Sequence, residues 1–164
     1  MHHALAGWAD WPEWHEMLGG RFLYTPGEVR GKKVPDSGYR DDVEYNAQVV
    51  ADHPVTAGLP KSFPVCDELY LAEIFEDDVT PLARSDYKYT RDNFYSAALG
   101  ISGTLFSNEG WEHADSSNLI AWHKRVANAP LVYVQSGDSI KALENPNIQM
   151  MIGNALNFIA EENP

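Results

Sequence analysis

The clearest pattern of hydrophobic and polar positions lies near the carboxyl-terminal end of the chain. Asn145 suits a helix N-cap, and Pro146 suits the first helical position after it. Apolar residues then recur every three or four positions and form one stripe: Ile148, Met151, Ile152, Ala155, Leu156 and Ile159. This stripe predicts an amphipathic helix that packs against a sheet.

A second, shorter helix is predicted near the amino terminus. Asp10 is a candidate N-cap, and Pro12 lies in the first turn. Apolar residues continue to Leu18, and the pair Gly19-Gly20 ends the run. The pattern is typical of a short helix.

Alternating apolar and polar positions predict strands between these helices. The predicted strands are residues 43–50, 67–75 and 80–84, and a hairpin is expected from "NLIAWHKR" (118–125) and "PLVYVQS" (130–136). Glycine, proline and charged residues predict a long loop over 24–42 and a turn over 53–60. Residues 85–117 lack a sustained period and predict short strands and loops.

Composition restricts the class of protein and its partners. The 164 residues, 44% of them hydrophobic, predict one packed domain over 1–164. A net charge of −12 disfavours nucleic acid and anionic membranes, so a neutral or cationic small molecule is the expected partner. No apolar run reaches membrane-spanning length. The single cysteine, Cys66, excludes an intrachain disulfide, favours a cytoplasmic location and is expected to be a small buried residue.

Five stretches in order along the chain resemble the ThuA-like (trehalose-utilization) family. They are "HHALAGWADWPEWHEMLGGRF", "HPVTAGLP" followed by "DELY", "SNEGW", and "PLVYVQSGD" before "NPNIQMMIGNALNFIA". The resemblance implies an α/β fold, a flavodoxin-like three-layer sandwich related to class I glutamine amidotransferases. It also implies an incomplete sheet, additional β-strands and a C-terminal helix, in a protein of sugar metabolism.

The resemblance also bears on the first residues. In the family, a glycine-rich segment, a strand and further elements of a parallel sheet precede the "HHA" step. The chain is therefore expected to correspond to the carboxyl-terminal part of an N-terminally truncated ThuA-like domain, with a purification-tag remnant as the alternative. Missing parallel strands would expose apolar sheet edges, so self-association as a homodimer is expected, with rearrangement or a partner chain as the alternatives.

Three candidate catalytic residues follow from the resemblance. By this resemblance, His3 lies at the strand-to-helix junction where amidotransferases carry a nucleophilic cysteine. A thiol mechanism is therefore excluded at this position, and His3 is expected to act as a general acid/base. Asp67 and Glu68 would face opposite ways on a strand, and the resemblance favours Glu68. Asp138 stands where family members often carry histidine. The alternatives are an exposed terminal imidazole and solvated acidic side chains.

Tryptophans that stack on sugar faces and polar groups that bind hydroxyls would complete a pocket for a sugar or keto-sugar. The expected substrate-binding residues are Trp8, Tyr70, Glu109, Trp111, His113 and Gln135. No metal ligands are predicted, because HxH, HxxxH and CxxC spacings are absent. No cofactor is assigned, and a divalent metal is kept as an alternative.

Two other functions remain open at this point. An ester hydrolase would use Ser139 of "GDSI" with His3, His113 or His123, although no GxSxG elbow occurs. A non-catalytic binding or oligomerisation module is the third alternative, because an incomplete sheet need not preserve an active site.

Overall fold

The structure is a computed structural model that describes residues 2–162. These residues form four α-helices: α1 (Pro12–Leu18), α2 (Ala97–Ile101), α3 (Ile140–Leu143) and α4 (Pro146–Glu162). Short 3₁₀ segments cover His2–Ala6, Pro54–Thr56, Glu76–Asp78 and Arg91–Asn93. Within this part of the chain, no helix has the length and hydropathy to cross a bilayer.

The strands form one large sheet and two small ones. They are β1 (Gly20–Arg21), β2 (Gly27–Val29), β3 (Lys32–Val34), β4 (Gly38–Val49), β5 (Ser62–Leu71), β6 (Glu73–Ile74), β7 (Thr80–Ser85), β8 (Tyr95–Ser96), β9 (Leu119–Val126) and β10 (Ala129–Val134). The large sheet has the order β10-β9-β7-β4-β5, and β8 also pairs with β4. Every pairing in residues 2–162 is antiparallel. The predicted α/β class, with additional strands and a carboxyl-terminal helix, is confirmed.

Apolar residues cover both faces of the large sheet. In β5, Leu69 and Leu71 belong to a core cluster that includes Ile148 of α4. Tyr70, between them, and Ala72, just beyond the strand, belong to a second cluster that includes residues of the amino-terminal segment. Because neighbouring strand residues point to opposite faces, the sheet is the middle of three layers. Glu68, two residues before Tyr70, lies on the amino-terminal side.

The buried stripe of α4 differs from the predicted one in one member, because Phe158 is buried and Leu156 is not. Met151, Ala155 and Phe158 are buried, whereas Leu156 is 65% exposed. Phe158 follows Ala155 by three residues and therefore shares its face of the helix, whereas Leu156 is rotated away from that face. The expected start is confirmed, because Asn145 Oδ1 accepts a hydrogen bond of 3.0 Å from the Asn147 N–H.

Helix α1 also begins differently from the prediction. Trp11, rather than Asp10, occupies the N-cap position, and no side chain caps the helix. Its predicted end is confirmed: Gly19 has a φ of +85° in the left-handed region. A Cβ atom at Gly19 would lie 2.5 Å from Val79 Cγ1, so close packing also favours glycine at this position.

The predicted long loop over 24–42 was wrong in part. It contains the hairpin of β2 and β3, and β4 begins at Gly38. Similarly, β5 starts at Ser62, earlier than expected, and α2 lies within the segment expected to hold short strands and loops. The predicted β9–β10 hairpin is confirmed, with Val126 opposite Ala129. Pairing with a neighbouring strand extends strands beyond the alternation visible in the sequence.

Candidate functional site

His2 is buried and pairs with a carboxylate on β5. It begins the 3₁₀ segment His2–Ala6 and does not lie on a strand. Its Nδ1 donates a hydrogen bond of 2.6 Å to the Gln135 carbonyl, and its Nε2 lies 2.7 Å from Glu68 Oε2. Burial lowers the pKa of His2, but the hydrogen bond and charge of Glu68 outweigh burial and leave that pKa raised. The contact therefore favours an imidazolium–carboxylate pair.

His3 is exposed and contacts two tyrosines. Its Nε2 lies 3.0 Å from the Tyr24 hydroxyl, and its Nδ1 lies 3.1 Å from the Tyr70 hydroxyl. Burial and the Glu68 charge raise the pKa of both tyrosines. Their hydroxyl groups therefore keep their protons at neutral pH and can donate hydrogen bonds.

Asp67 and Glu68 lie on opposite faces of β5, as expected of neighbours in a strand. Asp67 is fully buried and accepts hydrogen bonds of 2.7 and 2.9 Å from the N–H groups of Gly137 and Ser139. These bonds fix the segment between β10 and α3 on both sides of Asp138. The buried Asp67 carboxylate therefore positions the exposed carboxylate of Asp138.

A cavity of about 570 Å³ opens on the amino-terminal side of β5. Its lining consists of His3, Phe22, Tyr24, Tyr39, Asp41, Glu68, Tyr70, Ala97, Gly100, Ile101, Leu105, Phe106 and Asp138. The lining combines aromatic and aliphatic walls with three carboxyl groups, and no lysine or arginine occurs among these described residues. The size and mixed chemistry suit a small polar ligand.

Asp41 was missed by the sequence analysis because it lies in the predicted loop. The pairing of β4 with β5 shifts register between Arg40 and Val43, which is typical of a bulge that redirects a side chain. Burial, the hydrogen bond and charge of Glu68, and the charge of Asp138 raise the pKa of Asp41 to about 6. Burial and the Glu68 charge likewise raise the pKa of Asp138. The cavity therefore holds closely coupled carboxyl groups.

Three metal-ligating side chains meet beside the cavity. One donor atom each from His2, Glu68 and Asp138 lies within 4.8 Å of the other two. Among residues 2–162, these three could hold a metal ion. They come from distant parts of the sequence, so local spacing gave no signal for them.

The other predicted site residues separate into two groups. His3, Glu68, Tyr70 and Asp138 line the cavity, whereas Trp8, Glu109, Trp111, His113 and Gln135 are absent from its lining. Trp8 is 67% exposed and packs beside Trp11. Trp111 is buried, and its Nε1–H donates to the Asp36 carbonyl at 3.2 Å. Gln135 is buried and contacts the site through its backbone carbonyl on His2.

The structure places Ser139 at the start of α3 as its N-cap. Its hydroxyl accepts a hydrogen bond from the Ala142 N–H and donates one to the Cys66 carbonyl, both 3.2 Å long. His123 lies instead against the rings of His53 and Phe158. This geometry gives Ser139 a structural role.

Cys66 is only partly buried, although the sequence predicted a buried residue. It lies near the exposed Lys141, whose Nζ is 3.9 Å from Cys66 Sγ. Asp67, the next residue of β5, points to the opposite face of the strand and is fully buried, whereas Cys66 keeps part of its surface exposed.

Comparisons with known proteins agree with the fold. A solved structure of a ThuA-like protein from Parabacteroides merdae is similar, with a TM-score of 0.61 and 17% sequence identity. The similarity covers 97% of this chain and 58% of the other, so the chain spans less than two thirds of that protein. None of the curated proteins compared matches this sequence. The family model ThuA, described as trehalose utilisation, matches residues 1–159, and the chain therefore belongs to the ThuA family.

Proposed function

We propose that this chain binds a sugar or keto-sugar in the cavity beside β5 and transfers a proton on it. One observation carries the proposal: Glu68 lines the cavity while its carboxylate lies 2.7 Å from the buried His2 imidazole. A charge-assisted hydrogen bond of this kind holds a carboxylate in one orientation. Glu68 is therefore the proposed base.

Asp138 is the proposed acid. It lines the same cavity, and one of its oxygens lies within 4.8 Å of a Glu68 oxygen. Because burial and the Glu68 charge raise the pKa of Asp138, this carboxyl group retains a proton to higher pH than an ordinary aspartic acid. Such a pair can remove a proton from one atom of a substrate and supply one to another.

The cavity chemistry favours a neutral, hydroxyl-rich substrate. Tyr24, Tyr70 and His3 form a hydrogen-bonded group that can bind sugar hydroxyl or carbonyl oxygens. Phe22 supplies an aromatic wall for the apolar face of a sugar ring. The three carboxyl groups and the net charge of −12 disfavour sugar phosphates and sugar acids.

The test combines binding with proton exchange. Wild-type protein is titrated calorimetrically with neutral mono- and disaccharides and their keto derivatives, and solvent exchange of carbon-bound hydrogens is followed by NMR in D₂O. We expect at least one sugar to bind, and Glu68→Gln to abolish hydrogen exchange. Glu44→Gln, an exposed change on β4 outside this cavity, is the matched control and should behave as wild type.

Two outcomes would contradict this function. If no sugar produces heat with folded wild-type protein, the cavity is not a sugar site. If sugars bind but hydrogen exchange is unchanged in Glu68→Gln, the chain is a non-catalytic binding module of the kind considered above.

We also propose that the chain self-associates. Large apolar side chains are exposed at several places within residues 2–162, among them Trp8 with Trp11, and Ile101 with Leu105 and Phe106. Contiguous exposed apolar surface often marks an interaction site. Size-exclusion chromatography with light scattering should give the mass of a dimer, and a monomer mass would contradict this proposal.

A further inference from the structure

The group formed by His2, Glu68 and Asp138 has the donor types of a transition-metal site. It offers one imidazole nitrogen and two carboxylate oxygens, all within 4.8 Å of one another. Imidazole together with carboxylate suits zinc, manganese or iron, whereas oxygen donors alone suit magnesium and calcium. The three residues belong to separate segments, so only the tertiary fold assembles this group.

The orientation of His2 is that of a metal ligand. Its Nδ1 donates to the Gln135 backbone carbonyl at 2.6 Å, so Nδ1 carries a hydrogen and Nε2 is the nitrogen that faces the carboxylates. Metal-bound histidines usually donate their other ring N–H to a carbonyl or carboxylate in this way. The His2 side chain is only 5% exposed, so the ring is held in this orientation.

The charge of the cavity also favours a cation. Asp41, Glu68 and Asp138 all line it, without a lysine or arginine among the described lining residues. The mutual repulsion of these groups contributes to the raised pKa values of Asp41 and Asp138. A bound divalent cation would offset this repulsion.

We propose that His2 Nε2, Glu68 and Asp138 bind one divalent first-row transition-metal ion, such as Mn²⁺ or Zn²⁺. Glu68 and Asp138 line the cavity, so the remaining coordination positions would face a ligand in it. The use of this ion on a sugar rests on the proposed function, whereas its binding does not.

Release of the Nε2 proton of His2 and small side-chain movements would complete the site. Ligand atoms about 2.0–2.2 Å from a tetrahedral zinc ion lie roughly 3–3.5 Å apart. His2 Nε2 and Glu68 Oε2, now 2.7 Å apart, would separate by less than about 1 Å. Asp138 is exposed, so its carboxylate has room to approach them.

The test measures metal binding without any sugar. Metal-free wild-type protein is titrated with Mn²⁺ and with Zn²⁺ by calorimetry, and Mn²⁺ binding is checked by electron paramagnetic resonance. We expect one equivalent to bind. Glu68→Gln and Asp138→Asn should each raise the Kd by about tenfold or more. Circular dichroism checks that the variants fold. Asp138→Asn is expected to fold because Asp138 is exposed.

Asp41→Asn is the matched control, because it removes one negative charge from the same cavity without removing a proposed ligand. It should raise the Kd less than Asp138→Asn does. The metal site would be overturned if wild type bound no stoichiometric metal ion. It would also be overturned if Asp41→Asn raised the Kd for the metal as much as Asp138→Asn does. Neither result would affect sugar binding by metal-free protein, so the two proposals can fail separately.

Discussion

The Nε2 atom of His2 lies 2.7 Å from Oε2 of Glu68, and this contact joins residues 66 positions apart. It links the amino-terminal 3₁₀ segment to the strand that lines the cavity. The imidazole is buried, whereas the carboxylate reaches the cavity. The protonation of a buried histidine is thereby coupled to the charge of the candidate site.

The raised pKa of His2 predicts that stability depends on pH. The contribution of this pair is complete below the ordinary histidine pKa of 6.5 and is lost as pH rises through the raised pKa of the folded protein. The free energy of unfolding, measured in urea from about pH 6 to about pH 9, should therefore decline with pH. His2→Gln and Glu68→Gln should both reduce that decline, and an unchanged slope in both would contradict the coupling.

The pKa of Asp41 should lie well above that of an ordinary aspartic acid. Burial and the nearby Glu68 raise its pKa from 3.8 to about 6. Glu68→Gln removes the charge and should move the titration of Asp41 to lower pH. The carboxyl ¹³C chemical shift of Asp41, followed by NMR across this range, measures the change. A wild-type midpoint near 3.8 would show that the carboxyl groups are not coupled.

Asp67→Asn should destabilise the protein and loosen the segment that carries Asp138. The buried carboxylate accepts two backbone N–H bonds, from Gly137 and Ser139. Hydrogen bonds to a charged group contribute about 1.5–3 kcal/mol each, and asparagine keeps one of the two acceptor oxygens, so we expect a loss of about 1.5–3 kcal/mol. Chemical denaturation gives the free energy of unfolding, and amide hydrogen exchange at Gly137 and Ser139 should accelerate. Wild-type stability together with wild-type exchange would refute this role.

The face of α4 that enters the core can be tested with two alanine substitutions. Phe158 is 8% exposed and packs on the rings of His53 and His123, whereas Leu156 is 65% exposed. Phe158→Ala should cost about 3–5 kcal/mol in free energy of unfolding. Leu156→Ala is the matched control and should change it by less than about 0.5 kcal/mol. A larger loss of stability in Leu156→Ala than in Phe158→Ala would mean that α4 is rotated about its axis, with Leu156 facing the core.

Local patterns in the sequence were sufficient for some of the regular elements. The period of the carboxyl-terminal stripe predicted α4, and alternation predicted the carboxyl-terminal part of β4 and the β9–β10 hairpin. Alternation on β5 also placed Asp67 and Glu68 on opposite faces. These predictions succeeded because helix and strand periods are properties of neighbouring residues.

Distant contacts decided the candidate site. The sequence favoured His3, but only the fold shows that His2 reaches Glu68 and that Asp41 enters the cavity through a shift of strand register. By itself, the sequence determined the family, the α/β class and the main periodic elements. Tertiary structure decided which acidic and imidazole groups meet, because their distances depend on strand pairing and burial, which no short stretch of chain encodes.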